Sequence, residues 1–171
     1  MEKTFKYHYQ DFIAYFLMLV CFPLNPLVLL EIIQPQENRL LFYLGAVSWF
    51  VGMIFVIYPI IYFKLKGNVS KGKSFVNTNT LVTSGLYSII RHVQYTGGIF
   101  SIFIATPLLY PHWIFVFLGI PGILLIYLGV KREDKLLIEK FGNEYKMYID
   151  KVPTINIFAG ILRKLKGASK R

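Results

Sequence analysis

The chain has 171 residues and a formal net charge of +10, a length suited to one domain, yet 55% of its residues are hydrophobic and 17% aromatic. Such a composition excludes an ordinary soluble domain and points to lipid as the solvent. The basic residues form no separate module, which speaks against nucleic acid as a partner. The single cysteine, Cys21, excludes a disulfide within the chain and a cysteine metal site.

Taken in chain order, the first apolar run covers residues 12–33 and carries no charge before Glu31. It is longer than the apolar part of a cleavable signal and lacks a small-residue cleavage site after it, so it is expected to stay as a membrane span. Pro23 and Pro26 are expected to kink or break it, because each removes a backbone donor and clashes with the preceding turn. Residues 40–63 contain no charge at all. A polar interval follows, and then two further runs, 95–110 and 113–130, separated by a break in which Pro107 and Pro111 are expected to turn the chain. A bilayer core of about 30 Å needs about 20 apolar residues per helix. The pattern therefore predicts an all-α integral membrane protein, a single domain over residues 1–171 with about four transmembrane helices, the last two a tight hairpin. A soluble protein with a wholly buried helical hairpin is the alternative.

Beyond residue 130 the polarity changes. Residues 131–141 space Leu137 and Phe141 on one face among charges, which predicts an amphipathic, cytosolic C-terminal helix continuing from the fourth span. Gly142 interrupts it, residues 144–151 allow another turn or two, and Pro153 stops it. The basic tail 163–171 reads as a membrane-surface or frayed segment. With four spans, Lys3, Lys6, the basic residues of 64–94 and those after 130 all fall on one side, and the positive-inside rule makes that side, with both termini, cytoplasmic.

Two polar blocks hold the residues suited to chemistry. In residues 85–97, Tyr87, Arg91, His92, Gln94 and Tyr95 stand where a polar loop enters an apolar helix, and ionisable groups there are costly unless paired or lining a cavity. The same residues are also compatible with an arginine reaching headgroups and an interfacial tyrosine belt. In the second block, Arg132, Glu133 and Asp134 fit either a site or the solvated start of a helix leaving the membrane. His8 and His112 are isolated histidines at span ends, so no metal site is expected. Trp49 and Trp113 read as packing or interfacial anchors.

In order along the chain stand Leu81-x-Thr83-Ser84-Gly85-x-Tyr87, Arg91-His92-x-x-Tyr95-x-Gly97, Glu133-Asp134, Phe141-Gly142-x-Glu144-Tyr145-x-x-Tyr148 and Val152-Pro153. This ordered set resembles the isoprenylcysteine carboxyl methyltransferases and the related phospholipid methyltransferases, over residues 79–155. The resemblance implies a membrane-embedded methyltransferase using S-adenosyl-L-methionine, with a cytoplasmic cofactor site built from residues 79–97 and 132–148. The absence of a glycine-rich dinucleotide fingerprint agrees with that. Carried over by position, the implied cofactor residues are Asn79, Thr80, Leu81, Val82, Tyr87, His92, Val93, Gln94, Tyr95 and Glu133, with Glu133 facing the cofactor ammonium. No catalytic base is implied, although Arg91 and Arg132 are possible catalytic residues. The implied acceptor is lipid-like or prenylated and enters from the bilayer. Carboxyl O-methylation of the isoprenylcysteine type ranks first and N-methylation of a phospholipid amine second. Val93 stands where the family usually has proline, which predicts a looser turn. Gly129 stands where eukaryotic carboxyl methyltransferases carry an arginine. Two alternatives are compatible with the sequence: a reductase of the sterol-reductase type using NADPH, whose members end in a similar tyrosine-rich block and Val-Pro, and a non-catalytic membrane scaffold.

Overall fold

A computed structural model describes residues 26–72 and 75–168. All regular structure among them is helical: α1 (Pro26–Leu29), α2 (Arg39–Lys66), α3 (Val93–Leu109), α4 (Trp113–Phe141), α5 (Asn143–Lys151) and α6 (Ile157–Ala168). A short 3-10 turn, Gly85–Ser88, precedes α3. The expected first span, 12–33, lies outside the described residues up to position 25. Its described end is the single turn α1, and the expectation for Pro23 and Pro26 lies largely outside the described residues.

α2 and α4 have 28 and 29 residues and mean hydropathies of 2.3 each over their most apolar stretches, of which only 11% and 28% is buried. At 1.5 Å per residue each is about 40 Å long, more than the bilayer core requires. Leu40, Phe50, Ile54 and Ile61 on α2, like Phe117, Ile120 and Leu124 on α4, are exposed. A buried soluble hairpin would hide such side chains, so the outward apolar faces weigh against that alternative. α3 covers the expected third span but has 17 residues and a length of about 25 Å, short of a full crossing. α4 runs unbroken from the apolar run through residues 131–141.

Asn38 caps α2, its side-chain oxygen accepting from Leu41 N at 3.0 Å. His112 does the same for α4, its Nδ1 accepting from Ile114 N at 3.3 Å. This is a structural role for a histidine that sequence left without one.

The described residues form two compact units. The first holds residues 26–52 and 99–131. Its part of α3 widens into a π-helical stretch, Ile99–Ile104, before tightening again at Ala105–Leu109. A wide turn leaves a carbonyl without its regular partner, and here the Phe100 carbonyl accepts from Ser48 Oγ at 2.8 Å. Pro107 thus sits within the last helical turns, not in the hairpin break, which begins at Tyr110. Close approach is permitted at Gly45, where a methyl group would fall 2.8 Å from Leu109 N. Gly45→Val is expected to cost about 1–3 kcal/mol through overpacking, read as a lower thermal midpoint of the detergent-solubilised chain.

The second unit holds residues 53–98 and 132–168. In it Val82, Tyr87, Ile90 and Val93 form a core flanked by Phe55, Tyr58, Tyr62 and Phe63. Tyr87 stacks on Phe63 with ring centres 4.8 Å apart. Gly85 adopts φ +62°, and a Cβ there would lie 2.0 Å from the Tyr58 hydroxyl, which itself accepts from Leu86 N. Only glycine meets both demands. A second cluster gathers Tyr145, Tyr148 and Val152 under Leu81, Leu137, Ile138 and Phe141.

Candidate active site

The second unit brings the two polar blocks together around one carboxylate. Asp134 projects from the polar end of α4, and its side chain is 8% exposed. Its Oδ2 accepts from the Arg91 guanidinium at 2.8 Å. Its Oδ1 receives His92 Nε2 at 2.8 Å and the Tyr145 hydroxyl at 2.6 Å. A buried charge is tolerable when paired and hydrogen-bonded on all sides, and this one is.

Arg91 is engaged through its two terminal nitrogens, while its buried Nε has no hydrogen-bond partner among the described residues. Besides Asp134 it donates to the carbonyls of Ile149 and Val152 and to Thr154 Oγ1. These bonds tie the segment before α3 to the end of α5 and the turn after it. The backbones join as well: Arg91 N donates to Pro153 O at 2.9 Å and His92 N to Thr154 O at 3.0 Å. Val93 opens α3 and is fully buried in the aromatic core. The turn at Val93 carries two backbone bonds from its neighbours and the buried Val93 side chain.

The tyrosines complete the frame. Tyr148 donates to Tyr87 O at 2.5 Å, joining α5 to the 3-10 turn. Burial pushes the Tyr145 phenol well above its ordinary range, and donation to Asp134 pushes it further. Burial raises Tyr148 and Tyr87 in the same direction. All three hydroxyls thus stay protonated at neutral pH.

His92 occupies a pivotal place. A carboxylate only accepts, so the bond to Asp134 fixes the proton on Nε2 and turns Nδ1 toward Glu133, whose Oε2 lies 3.8 Å away. That Glu133 oxygen is buried and has no hydrogen-bond partner among the described residues. Buried acceptors are rarely left so. Here the orphan stands beside a carboxylate whose own oxygens are both engaged.

The other expected positions divide into three groups. Asn79 and Thr80 are exposed and finish α2: the Asn79 amide donates to Asn68 O and Ser70 Oγ, the Thr80 hydroxyl to Lys66 O. Val82, Tyr87 and Val93 lie in the aromatic core, and Leu81 packs half-buried against the tyrosine cluster. Gln94 and Tyr95 are half-buried on the first turn of α3, with the Tyr95 ring 5.8 Å from that of His92. Arg132 is half-buried on α4 beside Glu133. Asp134, Tyr145 and Thr154 were not among the expected site residues. The tyrosine repeat at 145 and 148, one helical turn apart, was the signal that a second wall faced Arg91. No group of histidine, cysteine and carboxylate suited to a metal ion occurs among the described residues.

A model of the family described as phospholipid methyltransferase matches residues 40–144, more than half of the chain. The chain belongs to that family. The match takes in Arg91, His92, Glu133 and Asp134, so the kinship expected from the ordered motifs is borne out, and with it a membrane methyltransferase framework. Tyr145, Tyr148 and Thr154 lie beyond the matched range. A 7-dehydrocholesterol reductase of Arabidopsis thaliana is 36% identical over 76 residues, 44% of this chain. The chain aligns with 18% of that reductase's length. No solved structure matches the chain.

Proposed function

We propose that this family member is an S-adenosyl-L-methionine-dependent methyltransferase whose acceptor is lipid-like or prenylated and reaches the site from the bilayer. The orphaned, buried Oε2 of Glu133 beside His92 carries the reading. It is an acceptor in want of a donor, and the ammonium of the cofactor is a donor of the right charge. The donor set fits the group: a carboxylate, an imidazole nitrogen and half-buried amide and phenol groups at Gln94 and Tyr95. When bound, the cofactor supplies a methyl on a sulfonium, a carbon already activated for in-line displacement.

The chain's own residues then have mainly to hold and to exclude. Glu133 binds the ammonium. Arg91 and Asp134 do not meet substrate; they lock the two walls, 79–97 and 132–148, at fixed spacing, which is where alignment of reacting atoms gains its rate. An ionised carboxylate acceptor of the isoprenylcysteine type needs no base. A phospholipid amine must lose a proton first, and His92 Nδ1 is the nitrogen left open for it. The cytoplasmic placing of site and termini rests on the distribution of lysine and arginine.

The 7-dehydrocholesterol reductase match supplies the competing reading, a nicotinamide site in the same walls. Binding of S-adenosyl-L-methionine, S-adenosylhomocysteine and NADPH to the detergent-solubilised chain separates the two. The first two are expected to bind in the micromolar range typical of enzyme ligands. Saturation by NADPH alone would overturn the proposal, and binding of none of the three would favour a scaffold. Methyl-labelled cofactor incubated with membrane lipids would then identify the acceptor, and treatment of the product with base would tell a methyl ester from a methylamine.

A further inference from the structure

α6 takes no part in the bonds that hold Asp134, yet it is firmly seated on the second unit. A methyl group at Gly160 would fall 2.1 Å from Ile89 O, so the helix backbone meets the chain there. From the same side Arg163 donates to Ser88 O, and Lys164 Nζ donates to Ser88 Oγ at 2.9 Å. Asn156 caps the first turn, its side-chain oxygen accepting from Ala159 N at 3.0 Å. Ile157 packs on the core that Phe55, Tyr58, Tyr62 and Phe63 of α2 also flank.

The opposite face of α6 is apolar and uncovered. Phe158 is 76% exposed, Leu165 62%, Leu162 57% and Ile161 41%. At about 100° per residue these four share one stripe, and Gly160 and Arg163 fall on the other side of the helix. Together they uncover roughly 400 Å² of apolar surface, an extent that marks contact with a membrane or another molecule. A second copy of the chain is a poor match, because a stable dimer buries about 800 Å² on each partner. The level at which α6 joins the unit points to the bilayer. On α2, exposed Ile54, Ile57, Ile61 and Leu65 border lipid, and the exposed Lys64 and Lys66 mark where the span ends. Tyr58, Tyr62 and Phe63 occupy the last turns before those lysines, and Ile157 enters the core they flank. α6 thus starts where α2 passes from acyl chains to headgroups.

We infer that α6 lies in the plane of the bilayer interface, its Phe158, Ile161, Leu162 and Leu165 stripe sunk into lipid and its Gly160 face carrying the second unit. A helix with an apolar stripe on one side and cations on the other takes this position, about 5–10 Å into the boundary between headgroups and acyl chains. The lipid surface itself covers the stripe. Arg163 and Lys164 stay on Ser88, turned away from it, and the exposed Lys166 stands at its edge, in reach of headgroups. Ser88 ends the 3-10 turn that leads to Arg91, so the docked helix steadies that turn from the membrane side. Residues 157–166 lie outside the range matched by the family, and nothing in this placement rests on cofactor binding.

The test uses the full chain with Cys21→Ser, given one new cysteine at a time, labelled with a nitroxide and reconstituted in vesicles of phosphatidylcholine and phosphatidylglycerol. Collision with oxygen, which concentrates among acyl chains, is compared with collision with a water-soluble nickel chelate. Ile61→Cys, on the lipid-facing side of α2, gives the reference for a buried label. At Phe158→Cys and Leu162→Cys oxygen is expected to be favoured about threefold or more over its value at Ala159→Cys, which lies off the stripe. Nickel access at Phe158 and Leu162 equal to that at Ala159 would put the stripe in water and overturn the inference. So would protection from both reagents with spin–spin broadening that vanishes on dilution with unlabelled chain, the mark of a second copy on the stripe. A nitroxide is itself apolar, so a second measurement does without it. In the chain with Trp49→Phe and Trp113→Phe, Leu162→Trp is expected to lose about half or more of its fluorescence to lipid brominated at the glycerol end of its acyl chains. Fluorescence unchanged by the brominated lipid would equally overturn the placement. Neither measurement uses cofactor or turnover, so the position of α6 and the methyltransferase proposal fail separately.

Discussion

Asp134→Ala is expected to lose most of the stability of the second unit, about 3–5 kcal/mol, the cost of leaving buried charge without its partner. Asp134 is the one carboxylate that Arg91, His92 and Tyr145 share. Its removal strands a guanidinium that is 4% exposed and frees the imidazole to rotate. Because Tyr145 and Arg91 stand on opposite walls, the effect spreads beyond the local bonds. The walls lose the group that spaces them, and cofactor binding is expected to fall with the thermal midpoint. The double variant Arg91→Ala, Asp134→Ala gives the sharper measurement. If the two residues act as a pair, its midpoint will lie well above that expected from adding the single effects. Additive losses would mean that Asp134 supports the unit through other contacts, and a stable Asp134→Ala with full binding would remove it from the site. Asp134→Asn should fall between, since the amide can still accept on one atom while its other atom offers hydrogens to a donor.

The sequence carried the walls of this arrangement but not its hub. Arg91 and His92 stood out because charge at the edge of an apolar run demands a partner. The partner was ambiguous between two adjacent acids. Glu133 was assigned the site and Asp134 none, yet it is Asp134 that takes the pairing and Glu133 that is left with an open oxygen. One helical step of 100° makes that difference, and the composition of the segment cannot reveal which acid faces Arg91. Asn79 and Thr80 have local partners: the Asn79 amide donates to Asn68 O in the turn after α2 and the Thr80 hydroxyl to Lys66 O at its end, a carbonyl that a helix end leaves open. The long helices α2 and α4 were legible because twenty apolar residues in succession have few other uses. The π-helical stretch within α3 was not, because the carbonyl it frees at Phe100 is met by a hydroxyl, Ser48, contributed by a different helix. α6 escaped notice for a related reason. Its tail is basic enough to read as frayed, and what makes it a helix in place is its seat on Ile89 and Ser88.

Glu133→Gln is expected to weaken S-adenosyl-L-methionine binding roughly tenfold to hundredfold, the range of a hydrogen bond to a charged group. The substitution keeps the shape and removes the charge, so it tests the open oxygen and leaves the packing alone. With Asp134 bound on all sides, Glu133 is the carboxylate in this pair free to meet a cationic ligand. A loss of affinity by itself does not say which ligand atom was involved. The decisive comparison uses a cofactor analogue without its amino group. It should bind the wild-type chain about as weakly as the natural cofactor binds the variant, and it should show no further loss in the variant. Isothermal titration of the four combinations reads this directly as a coupling between residue and ammonium. A Glu133→Gln chain with undiminished affinity would place the ammonium elsewhere. Equal losses for both ligands would mean that Glu133 shapes the walls, acting through His92 at 3.8 Å. Unaltered NADPH binding alongside lost S-adenosyl-L-methionine binding would show that the same walls admit two cofactors and that the charge of Glu133 chooses between them.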